Sequence, residues 1–560
     1  MAKPIQTPND QTAQLPFSPE ELSNPNPSIG ADNHSADEPS IDPPLKKQVF
    51  KPYHQHQVSL LPLSLEDLIE SNHPVRVVNQ IVDGLSINPL LKKFKGGGTS
   101  SYHPRMILKV LLYAYVNNTY SSRKIEEACR CDIRYMWLCA QNAPDHNTIN
   151  RFRSRILLDT LKGIFNQVVF LLVEEGLLSL EEIYVDGTKF ESAANRYTFV
   201  WKKSIKYHKE KIQQQLQELW DYAQKVAAEE QAGPEPPDFT DVHPEKVRAA
   251  IEKIDAVLHN NPDADPKIKA KVNRVKKDWP EQLKKYEEQE MILGDRNSYS
   301  KTDPDATFMR MKDDHQGKGQ LRPGYNLQVS TNNQCIVNYS VHPNPTDTTT
   351  LIPHLEQIEA NLGTKPKAVT ADAGYGSEEN YEYLEKKEVA AYVKYNTFDK
   401  EQKRKEGNQS PYATEQLSYD KEHDQFICPA GLAMEMVGIE TNKTTTGFEQ
   451  TLKVYRAKTC KTCPLRSECH TGKGNREIKV NHNLNRHRTK ARTLLNSKEG
   501  LHHRIQRNID VEPSFGNIKQ NHGFRRLMLR GKKKVLVEFG LLSIAQNLRK
   551  KIARDHKKAA

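Results

Sequence analysis

Two short stretches of the chain deliver one aspartate at the end of an apolar run and follow it with glycine: Val185-Asp186-Gly187 and Ala371-Asp372-Ala373-Gly374. Carboxylates at strand ends are held rigidly. If the two strands are neighbours, Asp186 and Asp372 converge at the carboxyl edge of a sheet, where like charges repel unless a cation lies between them. A hard divalent ion is the natural partner for such oxygen donors. Glu512 is a third acid, in Arg507-Asn508-Ile509-Asp510-Val511-Glu512-Pro513-Ser514-Phe515-Gly516-Asn517-Ile518-Lys519, within an otherwise strongly basic region. Lys519 follows seven residues later, close to two helical turns, and so shares a face with Glu512. A carboxylate in that place can hold metal while the lysine holds phosphate. A lone Asp before Gly is more often a turn or cap residue, so the pairing of two such motifs with a third acid is what points to chemistry. Pro513 lacks a backbone donor, which predicts a helix that begins near Glu512 or kinks there.

These acids need a sheet and a helix to carry them. Ile183 to Gly187 reads as a short β-branched strand. Tyr325 to Val329 and Cys335 to Tyr339, with a polar turn between, read as a hairpin. A helix from Asp347 to about Ala360, a strand from Lys367 to Gly374, a helix from Glu378 to Lys387 and a strand from Ala391 to Tyr395 complete a mixed α/β sheet. Before it, from about Leu61 to Leu178, apolar residues recur three and four apart, as at Met106, Val110, Leu111, Tyr113 and Ala114 or at Ile149, Phe152 and Ile156, which predicts an all-helical region. Arg123, Lys124, Arg130, Arg134, Arg151, Arg153 and Arg155 fall on its polar faces, where they can lie along phosphates or simply meet solvent. The charged segment 201–297 carries two heptad-like runs, Ile205 to Val226 and Val247 to Leu258, on either side of the turn Gly233-Pro234-Glu235-Pro236-Pro237; two antiparallel helices are expected.

The segment between Tyr395 and Val480 holds Cys428, Cys460, Cys463 and Cys469, and few other means of building a core are evident in it. Four thiolates suit a closed, structural Zn2+, with His470 a possible substitute ligand. Cys129, Cys131 and Cys139 read as small core residues of the helical region. The chain has 560 residues and a formal net charge of +11, unevenly spread: residues 1–50 hold three Lys against seven Asp and Glu, whereas residues 481–560 hold 20 Lys and Arg against five. In Phe524-Arg525-Arg526-Leu527-Met528-Leu529-Arg530-Gly531-Lys532-Lys533-Lys534, apolar residues interrupt the cations, so that one side can pack while the other meets DNA backbone. Nine Pro among polar residues make positions 1–50 a disordered leader. No apolar run approaches a membrane span and the N-terminus lacks a signal-peptide core, so a cytoplasmic protein with no membrane partner and no disulfides is expected.

On these residues the chain resembles the DDE transposases of bacterial insertion sequences, whose catalytic domain is RNase H-like. Tyr184 to Ser204, Lys367 to Ser377 and Arg504 to Gly531 are similar to that family's three catalytic blocks, and the resemblance extends over most of the chain beyond residue 50. It implies that Asp186, Asp372 and Glu512 form an Asp-Asp-Glu triad for two Mg2+ or Mn2+ ions. The family's signature runs Tyr, two residues, Arg, three residues, Glu, six residues, Lys; here Lys519 fits, whereas Ile505 and Asn508 stand in the Tyr and Arg places and Arg507 lies one position early. Arg504, Arg507, Lys519, Arg525, Arg526, Arg530, Lys532, Lys533 and Lys534 become the expected DNA contacts. The implied organisation is a leader at 1–50, a helical DNA-binding domain at 51–178, an RNase H-like core assembled from 179–200, 298–395 and 481–560, a helical insertion at 201–297 and a cysteine-containing, zinc-binding insertion at 396–480. The implied activity is metal-dependent cleavage at element ends followed by strand transfer into target DNA, carried out by a homodimer on terminal inverted repeats, at the nucleoid when bound. An RNase H-like nuclease that only hydrolyses and an inactive DNA-binding derivative are the alternatives.

Overall fold

A computed structural model of the chain describes residues 64–94, 101–227, 242–262, 264–311, 319–403 and 410–559. All belong to one compact unit, Leu63–Ala560. The expected leader at 1–50 and the Pro-rich turn at 233–237 lie outside the described residues.

Helices come first: α1 (Pro74–Gly84), α2 (Asn88–Leu91), α3 (Pro104–Val116), α4 (Ser122–Cys131), α5 (Ile133–Leu138), α6 (His146–Arg151) and α7 (Leu161–Glu174). His73, His103, Asp132 and Asp145 cap four of them by accepting from first-turn amides, so each start is written in the side chain just before it. Helix α3 is buried nearly all round, from Ile107 through Val116, as a helix at the centre of a bundle must be. One cation expected on a polar face is inside: Arg153 is buried and donates to the Tyr115 hydroxyl (3.2 Å) and the Tyr120 carbonyl (2.8 Å). Cys129 and Cys139 are buried with their sulfurs 3.4 Å apart, whereas Cys131 is exposed rather than in the core.

The sheet begins with β1 (Glu182–Glu191). The chain then leaves through β2 (Phe199–Trp201), α8 (Lys202–Ala227), α9 (Pro244–Asn260) and α10 (Pro266–Leu293), and returns on β3 (Ser298–Ser300), which pairs with β2. The insertion has three helices rather than two. Its third is hard to see because Lys and Glu dominate α10 and Pro280 lies inside it; Val272, Val275, Trp279 and Leu283 nevertheless keep the three-and-four spacing and close a core with Leu216, Trp220, Ile251 and Ile254.

The sheet continues with β4 (Thr307–Arg310), β5 (Leu321–Asn332), β6 (Cys335–His342), α11 (Leu351–Leu362), β7 (Ala368–Ala371), α12 (Glu378–Lys386), β8 (Ala390–Val393) and the short α13 (Phe398–Lys403). Strand β1 pairs antiparallel with β5 and parallel with β7, β7 pairs parallel with β8, and the far edge of β5 takes both β4 and β6. The order is therefore β6-β5-β1-β7-β8. Asp186 stands in the middle of β1 rather than at its end. The strand runs on to Glu191 because β5 pairs with it over Tyr184 to Glu191, past the point where the parallel partner β7 stops.

Next, β9 (Ser418–Asp420), β10 (Gln425–Ile427), β11 (Ala433–Lys443), β12 (Glu449–Ala457), α14 (Arg466–Cys469) and β13 (Glu477–Val480) form an antiparallel five-stranded sheet ordered β13-β12-β11-β10-β9. Contrary to the sequence expectation, this segment builds its own core, from Phe426, Met434, Tyr455, Ala457, Ile478 and Val480.

Three helices close the chain: α15 (His482–Asn496), α16 (Lys498–Gly516) and α17 (Lys532–Ala559). Helix α17 packs on β6, α3 and α7, and α16 crosses β1, β5, β7 and β8. Helix α16 starts at Lys498, capped by the Ser497 hydroxyl, well before Glu512, and it carries Pro513 inside. The helix does not begin near Glu512, and the Ile509 carbonyl, four residues before Pro513 and without its helical donor, accepts from the Gln334 side-chain amide at 2.9 Å. A π-helical turn, Asn517–Asn521, follows. No single helix among the described residues is long and apolar enough to cross a membrane.

Candidate active site

The β1–β7 register pairs Val185 with Ala371, the last residue of β7. Asp186 and Asp372 are the next residue on each side, so they issue from neighbouring strands that lie about 5 Å apart. Asp186 stays in extended backbone opposite Val329. Asp372 leaves the strand and turns, accepting from the Gly374 amide at 2.9 Å. Glu512 arrives on α16, a third chain segment. Asp186, Asp372, Glu512, Arg507 and Lys519 all line one cleft of about 340 Å³, floored by Gly187 and Thr188 and walled by Phe515.

Two cations complete the cleft. The Arg507 guanidinium lies 3.1 Å from Asp186 and 3.8 Å from Asp372, standing between the two aspartates. Its side chain is only 11% exposed and that of Asp186 12%, while Asp372 is 39% exposed. Lys519 is buried in the π-helical turn and donates to the Thr188 hydroxyl (2.8 Å) and the Lys189 carbonyl (3.0 Å) on β1. The extra residue of a π turn re-aims a side chain relative to an α-helix, and here it directs Lys519 onto the strand that carries Asp186.

Polar residues that sequence reasoning left out also stand here. Tyr375 is buried beneath the acids and donates to the Gln328 side chain. Burial first, and then the charges of Asp347, Asp186 and Asp372, raise its hydroxyl pKa well above the usual value, so it remains a donor. Gln328 and Asn326 of β5 in turn donate to Asp347, at 2.9 and 2.7 Å. In the sequence Asp347 reads as the start of a helix; the helix begins four residues later, at Leu351.

Three carboxylates with no sulfur or imidazole form a donor set suited to a hard divalent cation. A positive group already lies between two of them, in the form of Arg507. Among the described residues, no three His, Cys, Asp or Glu side chains are gathered closely enough to hold an ion, and Arg507 occupies the space between the two aspartates.

The four cysteines of the second insertion are all partly buried and unoxidised. Cys460 accepts from the Arg476 amide (3.2 Å) and Cys469 from the Arg476 guanidinium (3.0 Å), so one buried arginine joins two of the sulfurs. Several cations expected to meet DNA are engaged within the fold. Arg526 donates to the carbonyls of Ser192 (3.0 Å) and Ala194 (2.9 Å), and Arg530 to that of Ala193 (3.3 Å). Arg504 lies over the Phe398 ring. Arg525 donates to Gln520, while Lys532, Lys533 and Lys534 are exposed at the start of α17.

Two family models match the chain. The one described as Transposase DDE domain matches residues 427–552, from β10 to α17, a stretch that includes the cysteines, Glu512 and Lys519. The other, described as Transposase domain (DUF772), matches residues 63–155, from before α1 through α6. Asp186 and Asp372 lie in the stretch between them. No curated protein and no solved structure matches the chain. Both matches are to transposase models, one of them of the DDE type, and together they support an insertion-sequence DDE transposase.

Proposed function

We propose that this transposase cuts DNA strands at the ends of its element and joins the freed 3′-hydroxyl to target DNA, using Asp186, Asp372 and Glu512 as its catalytic acids. The observation that carries this reading is that three acids from segments far apart in sequence line a single cleft together with Lys519. The strand order β6-β5-β1-β7-β8, antiparallel through β1 and parallel from β1 onward, supports an RNase H-like core built from 179–200, 298–395 and 481–560.

Asp186, Asp372 and Glu512 would hold two Mg2+ or Mn2+ ions, which when bound supply activation of the attacking oxygen and stabilisation of the leaving one. The chain's own groups do the rest. Lys519, anchored on Thr188 and Lys189, offers a fixed positive charge to the phosphate and offsets the charge that develops there. Arg507 balances the two aspartates in the free protein and is close enough to turn toward a bound phosphate. Tyr375 keeps its proton and holds the floor of the cleft through Gln328. The attacking group is water in cleavage and the freed 3′-hydroxyl in transfer, with no covalent bond to the protein.

The helical region at 51–178 binds the terminal inverted repeats, with Arg123, Lys124, Arg151 and Arg155 exposed for phosphate contact, and Lys532 to Lys534 extend the positive surface. Two copies pair the ends in a synaptic homodimer. Cys428, Cys460, Cys463 and Cys469 would hold a structural Zn2+ only if drawn closer together than they stand here, with Arg476 released from two of the sulfurs; one equivalent of zinc released on thiol modification is the expected result.

The decisive experiment incubates the full chain and Mg2+ with duplex DNA from the flanks of its gene. The wild type is expected to nick at the element ends and to join pre-cut ends to a plasmid, and Asp372→Asn to do neither while binding DNA equally well. Nicking without joining would favour a nuclease. Equal binding with no cutting by either protein would leave a DNA-binding derivative.

A further inference from the structure

We infer that Asp347 is a positioning residue for the two aspartates, acting through a buried amide relay that ties the strand bearing Asp186 to the turn bearing Asp372. The inference rests on the reading of Asp186, Asp372 and Glu512 as ion-holding acids. One end of the relay is on β1. Gln328 is the cross-strand partner of Gly187, the residue next to Asp186. A Cβ at position 187 would meet the Gln328 amide and lie 2.7 Å from the Asp347 carboxylate, so both side chains occupy the space the glycine leaves. The other end is on the turn after β7. The Tyr375 hydroxyl reaches the same Gln328 side chain, the Thr348 hydroxyl donates to the Gly374 carbonyl at 3.0 Å, and the Asn380 amide spans the carbonyls of Thr348 (2.9 Å) and Tyr375 (2.8 Å).

Asp347 is the common acceptor. One of its oxygens takes both the Asn326 and the Gln328 amides, which fixes the orientation of Gln328: its NH2 toward Asp347, its carbonyl toward Tyr375. Without Asp347 the Gln328 amide keeps only the longer bond to the Asn326 side-chain oxygen, 3.1 Å, and the Tyr375 hydroxyl has a less firmly fixed acceptor. Strand β1 and the Asp372 turn are then linked near the acids by the Arg507 ion pairs and by backbone pairing that ends at Val185 and Ala371. Groups that orient metal-binding side chains are worth about 10–100-fold in affinity, so the separation of Asp186 and Asp372 should depend measurably on this relay.

The role separates cleanly from direct participation, because an asparagine at this position keeps the accepting oxygen and loses the charge. Mn2+ alone is titrated calorimetrically into the full chain, with unfolding temperature as the control for fold. Asp347→Ala is expected to weaken Mn2+ binding about tenfold or more, and Asp347→Asn to restore it to near the wild-type value. Tyr375→Phe, which breaks the far end of the relay with minimal change in volume, is expected to weaken it more modestly and decides the matter if Asp347→Ala does not fold. Wild-type affinity in both Asp347→Ala and Tyr375→Phe overturns the inference. So does an Asp347→Asn variant as weak as Asp347→Ala, since charge rather than geometry would then be at work. If the wild type itself shows no Mn2+ binding that Asp372→Asn abolishes, the reading of the three acids fails first, a result distinct from a wild type that binds whatever stands at position 347.

Discussion

Asp186 and Asp372 reach the cleft on adjacent strands, whereas Glu512 reaches it on a helix that crosses them. The first two are set by backbone: one register, Val185 against Ala371, fixes where both side chains emerge. The third is set by packing, since α16 touches β1, β5, β7 and β8 through side chains and carries Glu512 exposed at its surface. A strand pair leaves little freedom to its carboxylates; a helix followed by a π-helical turn can shift or rotate. The arrangement sets two acids fixed by strand register against one carried on a helix.

The contrast can be broken most forcefully by charge. Asp186→Asn, Asp372→Asn and Glu512→Gln are each expected to lower strand cleavage about a thousandfold, roughly 4 kcal/mol of barrier, with little change in unfolding temperature; a Glu512→Gln protein that still cuts would remove the helix from the chemistry. Length is the sharper instrument. Asp186→Glu pushes a methylene into a site fixed by backbone and should cost about a hundredfold, whereas Glu512→Asp, on the adjustable helix, should cost about tenfold, with substrate affinity unchanged in gel-shift titrations. Equal losses would mean that α16 is as rigid as the sheet.

Smaller effects separate the two supports themselves. Lys519→Met strands the Thr188 hydroxyl and the Lys189 carbonyl, and should cost about 3 kcal/mol in urea unfolding. Acid tests the strand side, where His354 is clamped between the hydroxyls of Ser330 and Ser340. Burial lowers its pKa well below 6.5, and burial with the charge of Lys532 lowers that of His342 to about 4. The unfolded chain therefore takes up protons below pH 6.5 that the folded one refuses. Stability should be level above pH 7 and fall between pH 6.5 and 4, by about 2 kcal/mol at pH 5 for His342 alone, as followed by denaturant titration. Gln334→Ala leaves the Ile509 carbonyl without its substitute donor and should cost about 1 kcal/mol, with hydrogen exchange rising first around Pro513.

What could be read from the sequence follows the same division. The Asp-Gly motifs, the hairpin and the later alternation of strand and helix were visible because period-two apolar runs and turn residues are local signals. The gathering of Glu512 and Lys519 on one side was visible from their spacing, although not the π turn that re-aims the lysine. Side chains that turn inward against their own polarity escaped. Arg153, Arg526 and Arg530 look like surface cations until tertiary contacts supply carbonyls for them. Asp347 imitates a helix cap, and its role in the amide relay depends on β5 residues about twenty positions earlier. The second insertion seemed to lack a core because its apolar residues are scattered over five short strands, and α10 was hidden by the charge on its outer face.

The paired strands β2 and β3 carry a further implication. Trp201 faces Ser298 across this ribbon, so everything from α8 to α10 departs and returns through one doorway only three residue pairs deep. The arm is a cassette: it can be shortened, exchanged or tethered at its tip without the edges of the main sheet being stretched. Any tug on it reaches the main sheet along two short connections, the stretch between Glu191 and Phe199 that Arg526 and Arg530 stitch down and the stretch from β3 into β4.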